Sequence, residues 1–474
     1  MHPRLAICAL ALVLTLPTAG LAQTTDPTAA LLGELIRVNT SNPPGNESAL
    51  AELLAPRFRA LGFDVQIVPT PETGKAHFIA RLRGDGSKRP LLLAAHADVV
   101  GVEREKWTHD PFAGEVRDGY VYGRGTIDFK GGMAVFARAA MMLAERKVPL
   151  ARDVIFVAEA DEEGGRYNTS WLAQEHWAAL DCEFALNEGG WIMTGENGRV
   201  RYVSVSTADK ASVTVLLTAR GTSTHSSMPR DDNPLVTLGR ALARLGAYEP
   251  PLRLTASTRR FFETLARTSP EPLAARYRDL VGTDSARAAA ADREIGRDPL
   301  FHALGRNTFA PVMMNAGFRT NVIPGSAEAT VNARLIPGTD RAAMVQEIVR
   351  VIDDPRVEVR LAPATGRAPA GADSAGPRAL ESSTDTELYR ALERSARTQW
   401  AGTEVTPYLF QAGTDAGAWR TRGIPVYGIY PYPIDADDLS RMHGNDERVR
   451  VESLRQGTEM IYRTLVDVAG KTRR

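Results

Sequence analysis

The 474-residue sequence has two cysteines, no surplus of charge of either sign, and no long apolar run beyond its first residues. Cys8 lies in an N-terminal stretch that reads as removable, so Cys182 is left alone and no internal disulfide can form. With Phe184-Ala185-Leu186 beside it, Cys182 reads as a small buried residue rather than a nucleophile. Lys plus Arg number 57 and Asp plus Glu 57. That balance argues against nucleic-acid binding by bulk charge, which needs a basic excess or patch. The densest charged stretch, 276–297, mixes both signs. After residue 22 nothing approaches the roughly 20 apolar residues of a membrane span. Several motifs are missing too: the Walker lysine, the G-x-S-x-G elbow and H-E-x-x-H. Gly123-x-Gly125 is followed by Asp128 where a dinucleotide fingerprint needs its third glycine.

What is present describes a folded, exported protein. Hydrophobic content of 43% against 24% charged excludes a largely disordered chain, and the length suggests two or three domains. His2-Pro3-Arg4, an apolar stretch from Leu5 to Leu16, Pro17 and the small residues up to Ala22 have the layout of a secretory signal peptide. Residues 1–22 are therefore expected to be removed, leaving a secreted or periplasmic protein with no membrane attachment.

The periodicity predicts an α/β chain. Helices are expected within 26–62, broken by the turn-rich segment 39–46. Pro90–Ala95 and Val154–Ala158 are continuous apolar runs, as in strands buried on both faces. Ala134–Leu143 reads as an amphipathic helix between them, and strand–helix–strand alternation implies a sheet covered on both sides. Near Ala211 the character changes. Ser212–Leu217 and Ala327–Leu335 alternate as half-buried strands, and 233–246 and Arg341–Ile352 read as helices. These point to a small α+β unit, 211–365, inserted between two parts of a larger domain, 23–210 and 366–474. Inside the insertion, 250–310 is a long Arg/Ala-rich helical stretch.

Polar residues gather where the apolar runs end: His96-Ala97-Asp98, then Asp161-Glu162-Glu163, then Asn187-Glu188. In open α/β sheets, sites form beyond the carboxyl ends of strands, so these three should converge. In a strand, residues i and i+2 point the same way, so Asp98 can support His96 as a metal ligand. Of the two carboxylates Glu162 and Glu163, one can ligate a metal while its neighbour moves a proton. Asp128, in a glycine-rich loop before a helix, reads as a carboxylate held towards the same centre. His225 and His443 are the other two histidines in distinctive polar loops.

Taken in order, His96-x-Asp98, Gly123-Arg124-Gly125-x-x-Asp128-x-Lys130-Gly131, Asp161-Glu162-Glu163, Glu188-Gly189-Gly190 and His443 resemble the dinuclear-zinc metallopeptidase family of aminoacylases, glutamate carboxypeptidases and succinyl-diaminopimelate desuccinylases. Asp98-Val99-Val100, Trp107, Pro111-Phe112 and Phe318–Pro324 look most like its Gly-Xaa carboxypeptidase and N-acyl-amino-acid hydrolase subgroup. The resemblance covers nearly all of the processed chain. It implies a zinc-peptidase-like α/β/α sandwich with an inserted ferredoxin-like dimerisation and lid domain. It also implies two Zn2+ per chain, with Co2+ or Mn2+ as possible substitutes. His96, Asp128 and Glu188 would hold one ion, and Asp128, Glu163 and His443 the other. Asp98 would orient His96, and Glu162 would be the general base. His225 would reach a partner subunit's site in a homodimer, with Asn321 nearby. Arg334 would pair with the substrate carboxylate, and Gly413 and Thr414 would line the substrate site. The implied substrate is a small peptide or an N-acyl amino acid. A deacylase or aminopeptidase with the same metals, or a non-catalytic binding protein on this fold, are the alternatives. Two departures stand out. Phe129 replaces an acidic residue or Met of many relatives and is expected to turn away from the metals, and 250–310 is long for the family.

Overall fold

The computed structural model describes residues 26–195, 197–363 and 381–471; the expected signal peptide and most of the expected connection 362–377 lie outside them. Eight strands form one mixed sheet, in the order 64–69, 76–82, 154–159, 91–96, 184–194, 426–434, 200–209 and 404–410. The Leu91–His96 strand shows how sequence becomes architecture. Leu91, Leu93 and Ala95 face one apolar core, and Leu92 and Ala94 the other. Val154, Phe156 and Ala158 likewise oppose Ile155 and Val157. Side chains alternate across a strand, so a run apolar at every position must be covered on both faces. Helices Pro27–Arg37, Glu47–Ala60, Lys130–Glu145 and Val451–Ala469 bury their apolar faces in the first core. Trp419, Leu172 and the free Cys182 fill the second. No helix among the described residues is long and apolar enough to cross a membrane.

The strands ending in His96, Glu159 and the Glu188 region run parallel to one another, which brings their carboxyl ends together. The 184–194 strand does not end where its apolar run does, at Leu186. It continues to Thr194 beside the 426–434 strand, while its other pairing passes from the 91–96 strand, at 184–186, to the 200–209 strand, at 192–194. Glycines make this passage possible: a Cβ at Gly190 would lie 2.1 Å from the Ser204 carbonyl oxygen, and one at Gly428 2.0 Å from that of Glu188.

A second sheet has four antiparallel strands, in the order 308–316, 326–335, 211–220 and 357–361. Helices Pro234–Gly246 and Arg341–Ile352 cover one of its faces and share a separate apolar core with it. Asn233 caps the first of these, its side chain accepting from the Leu235 amide. The 250–310 stretch forms four helices, 256–268, 273–281, 285–295 and 299–304. Their apolar residues, Phe261, Phe262, Leu265, Tyr277 and Leu280 among them, belong to the core of the large sheet, not to that of the small one.

Candidate active site

At the carboxyl ends of the parallel strands seven of the expected residues converge: His96, Asp98, Asp128, Glu162, Glu163, Glu188 and His443. Asp128 stands at the middle. Its Oδ1 lies 3.0 Å from His96 Nε2 and its Oδ2 3.0 Å from His443 Nε2. Glu188 Oε2 is 3.6 Å from His96 Nε2, and Glu163 Oε1 is 3.2 Å from His443 Nε2. Ligand-type atoms of His96, Glu162 and Glu188 lie within 4.8 Å of one another, as do those of His96, Asp128 and Glu163. One half of the cluster is buried at His96 and Glu188; the other opens outward, with the His443 side chain 45% exposed.

Local structure explains how each group is held. The nearest partner of His96 Nδ1 is the Asp98 main-chain oxygen at 3.0 Å, with the Asp98 carboxylate at 3.7 Å. An Nδ1–H donated to that carbonyl leaves the Nε2 lone pair for a metal. The Asp98 carboxylate has a second task that strand spacing does not suggest. It accepts from the amides of Glu162, at 3.1 Å, and Glu163, at 3.0 Å, and from Asn42 Nδ2, so it fixes the acidic turn. Behind that turn the buried Lys75 pairs with Asp161. The Asp128 loop is held by Glu447, whose buried carboxylate accepts from the amides of Gly125, Ile127 and Asp128 and from Arg124. Arg124 in turn donates to the main-chain oxygens of His443 and Gly444. Phe129 is turned away from the cluster and packs beneath it, between His96, Phe136 and Tyr430. Tyr430 Oη lies 2.9 Å from Glu188 Oε2, to which it donates, and 3.2 Å from Asp128 Oδ1.

Sequence reasoning missed Glu447, Arg124, Asn42, Lys75 and Tyr430. Glu447 and Arg124 do stand inside the distinctive segments around His443 and Asp128. Nothing in the sequence pairs Tyr430 with a carboxylate 242 positions away.

The donor set fits divalent cations. Burial first, then the Glu188 charge, pushes Glu162 well above the usual carboxylate range. Burial and Asp128 push Glu188 to about 7. At His96 burial is outweighed by Glu188, Asp128 and Asp98, which raise it. His443 is raised to about 10 by its contacts with Asp128 and Glu163. Four crowded carboxylates are costly in a buried place unless cations neutralise them. Glu163 Oε1 is buried and makes no hydrogen bond despite lying 3.2 Å from His443 Nε2. That spacing is one that two ligands of a single ion also have.

The remaining expected residues form two further groups. Arg334 Nη1 lies 3.7 Å from where a Cβ on Gly413 would stand, and Thr414 Oγ1 donates to Asp209 at 2.6 Å. Asn332 and Arg334 share one face of their strand, Arg334 Nε donating to Asn332 Oδ1, while Ala333 and Leu335 are buried. Asp415 links this group to the cluster: its charge is among those that raise Glu162. His225 and Asn321 sit together elsewhere. His225 pairs in register with Val322, and the Ser226 amide donates to the Asn321 oxygen. The His225 side chain is exposed, and its contact is with Ser227.

Comparison with known proteins agrees with this geometry. A probable carboxypeptidase S-like protein of Dictyostelium discoideum is 29% identical over 80% of this chain and 71% of its own length. An N-fatty-acyl-amino acid synthase/hydrolase of Homo sapiens is 28% identical over 82% and 76%. Among solved structures, an M20 family metallo-carboxypeptidase of Sulfolobus solfataricus superimposes with a TM-score of 0.67 at 18% identity, covering 94% of this chain and 99% of that one. A dinuclear metal-binding peptidase of Bacillus subtilis gives 0.56 at 13% identity, over 93% and 98%. The fold expected from the sequence, an α/β sandwich of the zinc-peptidase kind, is thus the fold found. The sequence profile of Peptidase family M20/M25/M40 matches residues 92–467, which span every member of the cluster from His96 to His443, and the chain belongs to that family of hydrolytic enzymes.

Proposed function

We propose that the protein is an exported dinuclear-metal hydrolase that cleaves an amide or peptide bond next to a free carboxylate. It would act as a carboxypeptidase or an N-acyl-amino-acid amidohydrolase. The observation that carries this reading is Asp128, with one oxygen facing His96 and the other facing His443 at equal distance. The names of relatives, probable carboxypeptidase S-like and N-fatty-acyl-amino acid synthase/hydrolase, support the substrate class.

His96, Asp128 and Glu188 would hold one zinc ion, and Asp128, Glu163 and His443 the second. Two such ions supply Lewis-acid polarisation of the scissile carbonyl and a supply of hydroxide at neutral pH. Glu162 takes the proton of the attacking water and delivers it to the leaving nitrogen. Asp98 keeps Glu162 in place through the backbone of its turn. His225 donates to the developing oxyanion, with Asn321 beside it. Arg334 receives the substrate carboxylate in the space lined by Gly413 and Thr414.

His225 would act across a homodimer made through the small sheet. The edge strand 308–316 of that sheet leaves Val312, Met313 and Met314 more than half exposed, and Phe318 follows. An apolar edge strand of this kind is a template for pairing with another chain.

Substrate preference tests the reading. The enzyme is expected to cut dipeptides or N-acyl amino acids with a free α-carboxylate and to spare the same compounds as C-terminal amides. Losing a charge-assisted pair costs about 1.5–3 kcal/mol, or roughly 10–150-fold. Arg334→Ala should lower kcat/KM for acids by that factor and narrow the gap to amides. Equal turnover of acid and amide by the wild type would overturn the carboxylate requirement and favour a deacylase or aminopeptidase.

A further inference from the structure

We propose that Tyr430 is a positioning residue for the buried half of the metal centre: its hydroxyl fixes the oxygens of Asp128 and Glu188 that face His96. The proposal rests on the reading of this cluster as a dinuclear centre. Three atoms face one another in the buried half: His96 Nε2, Asp128 Oδ1 and Glu188 Oε2. Tyr430 Oη touches both of these oxygens, Glu188 Oε2 at 2.9 Å and Asp128 Oδ1 at 3.2 Å. A phenol carries one proton, so it donates to one oxygen at a time, and the shorter contact is to Glu188. Each carboxylate oxygen has a further lone pair, which stays available to an ion.

The ring has little freedom to move the hydroxyl elsewhere. Tyr430 is fully buried, stacks on Trp191 with centroids 4.1 Å apart, and meets the edge of Phe129 at 5.1 Å. Its backbone belongs to the 426–434 strand, which lies beside the strand carrying Glu188. Among the described residues the outer half has no such hydroxyl. The His443 side chain is about half exposed, and Glu163 Oε1 has no hydrogen bond. Hydroxyls and carboxylates that orient ligands from behind commonly govern metal affinity by roughly 10–100-fold. Removing this hydroxyl should therefore weaken one of two equivalents, that of the inner half.

The test is a zinc titration of chelator-stripped protein in competition with a chromophoric chelator. Wild type, Tyr430→Phe and Tyr427→Phe are compared. Tyr427 is the control: it lies on the same strand and is equally buried, and its hydroxyl donates to the Ser383 oxygen, away from the cluster. The expected result is two equivalents in all three proteins. In Tyr430→Phe alone, one equivalent should bind roughly 10–100-fold more weakly. Melting of the stripped proteins should be alike in the two variants. If the wild type takes up two equivalents and Tyr430→Phe binds both as tightly, Tyr430 has no positioning role. Equal weakening of both equivalents, or a lower melting temperature for Tyr430→Phe than for Tyr427→Phe, marks a general packing loss and also overturns the proposal. A wild type that binds no zinc overturns the centre itself, and the tyrosine's role with it.

Discussion

Glu162→Gln is expected to keep its metal and to lower kcat by roughly 10²–10⁴-fold, the usual worth of a general base. Glutamine matches glutamate in shape, and the turn that carries residue 162 is held through backbone amides given to Asp98, so the variant should place its side chain as the native one does. What it loses is the ability to accept a proton. Glu162 also lies within ligand range of His96 and Glu188, so metal analysis must accompany the rate measurement. Two zinc ions with turnover lost assigns the base. Metal lost together with turnover makes Glu162 a ligand. A near-wild-type rate with metal retained removes it from the chemistry.

His225→Ala is expected to cost roughly 10²–10³ in kcat, the worth of one oxyanion donor. The Ser227 amide donates to His225 Nδ1 at 3.2 Å, which makes Nδ1 the acceptor and leaves the neutral ring's proton on Nε2, the tautomer that suits a donor. The ring is exposed on the two-stranded segment beside the small sheet and faces Ser227 rather than the metal ligands. A second copy of the chain would have to present it. Mixing His225→Ala with Glu162→Gln under conditions of subunit exchange should restore part of the activity. Mixed dimers would contain one site with both residues intact. Demonstrated exchange with no recovery would confine His225 to its own subunit or exclude it from the reaction.

The sequence made the layers and the first ligands legible because both depend on short-range pattern. A short apolar run such as 90–95, bounded by turn residues, suits a strand covered on both faces, and a histidine or acidic pair at its end then sits at the sheet's rim. Residues 250–310 were readable as helices for the same reason: Thr255, Asp284 and Asp298 cap three of them. Where those helices dock was not readable. Phe261 or Tyr277 would suit either core, and only the three-dimensional arrangement selects the large sheet. The supports of the site were hidden for a similar reason. Glu447 looks like one more surface acid after His443, and it becomes special only because three amides of the Asp128 loop point at it. The course of 184–194 was hidden because the apolar run stops at Leu186 and polar and glycine residues follow. Those glycines stand where strands nearly touch.

The Glu447 clasp also bears on biosynthesis. Ile127 and its carboxylate partner are 320 positions apart, so a ribosome must add those 320 residues before the Asp128 loop gains its anchor. Arg124 and the backbone around His443 are drawn in by the same event. A nascent or truncated chain can pair its early strands and still lack both the outer histidine and the support of the central aspartate. On the proposed reading, a chain that stops short of the 443–447 segment would lack part of its metal centre and should be inactive.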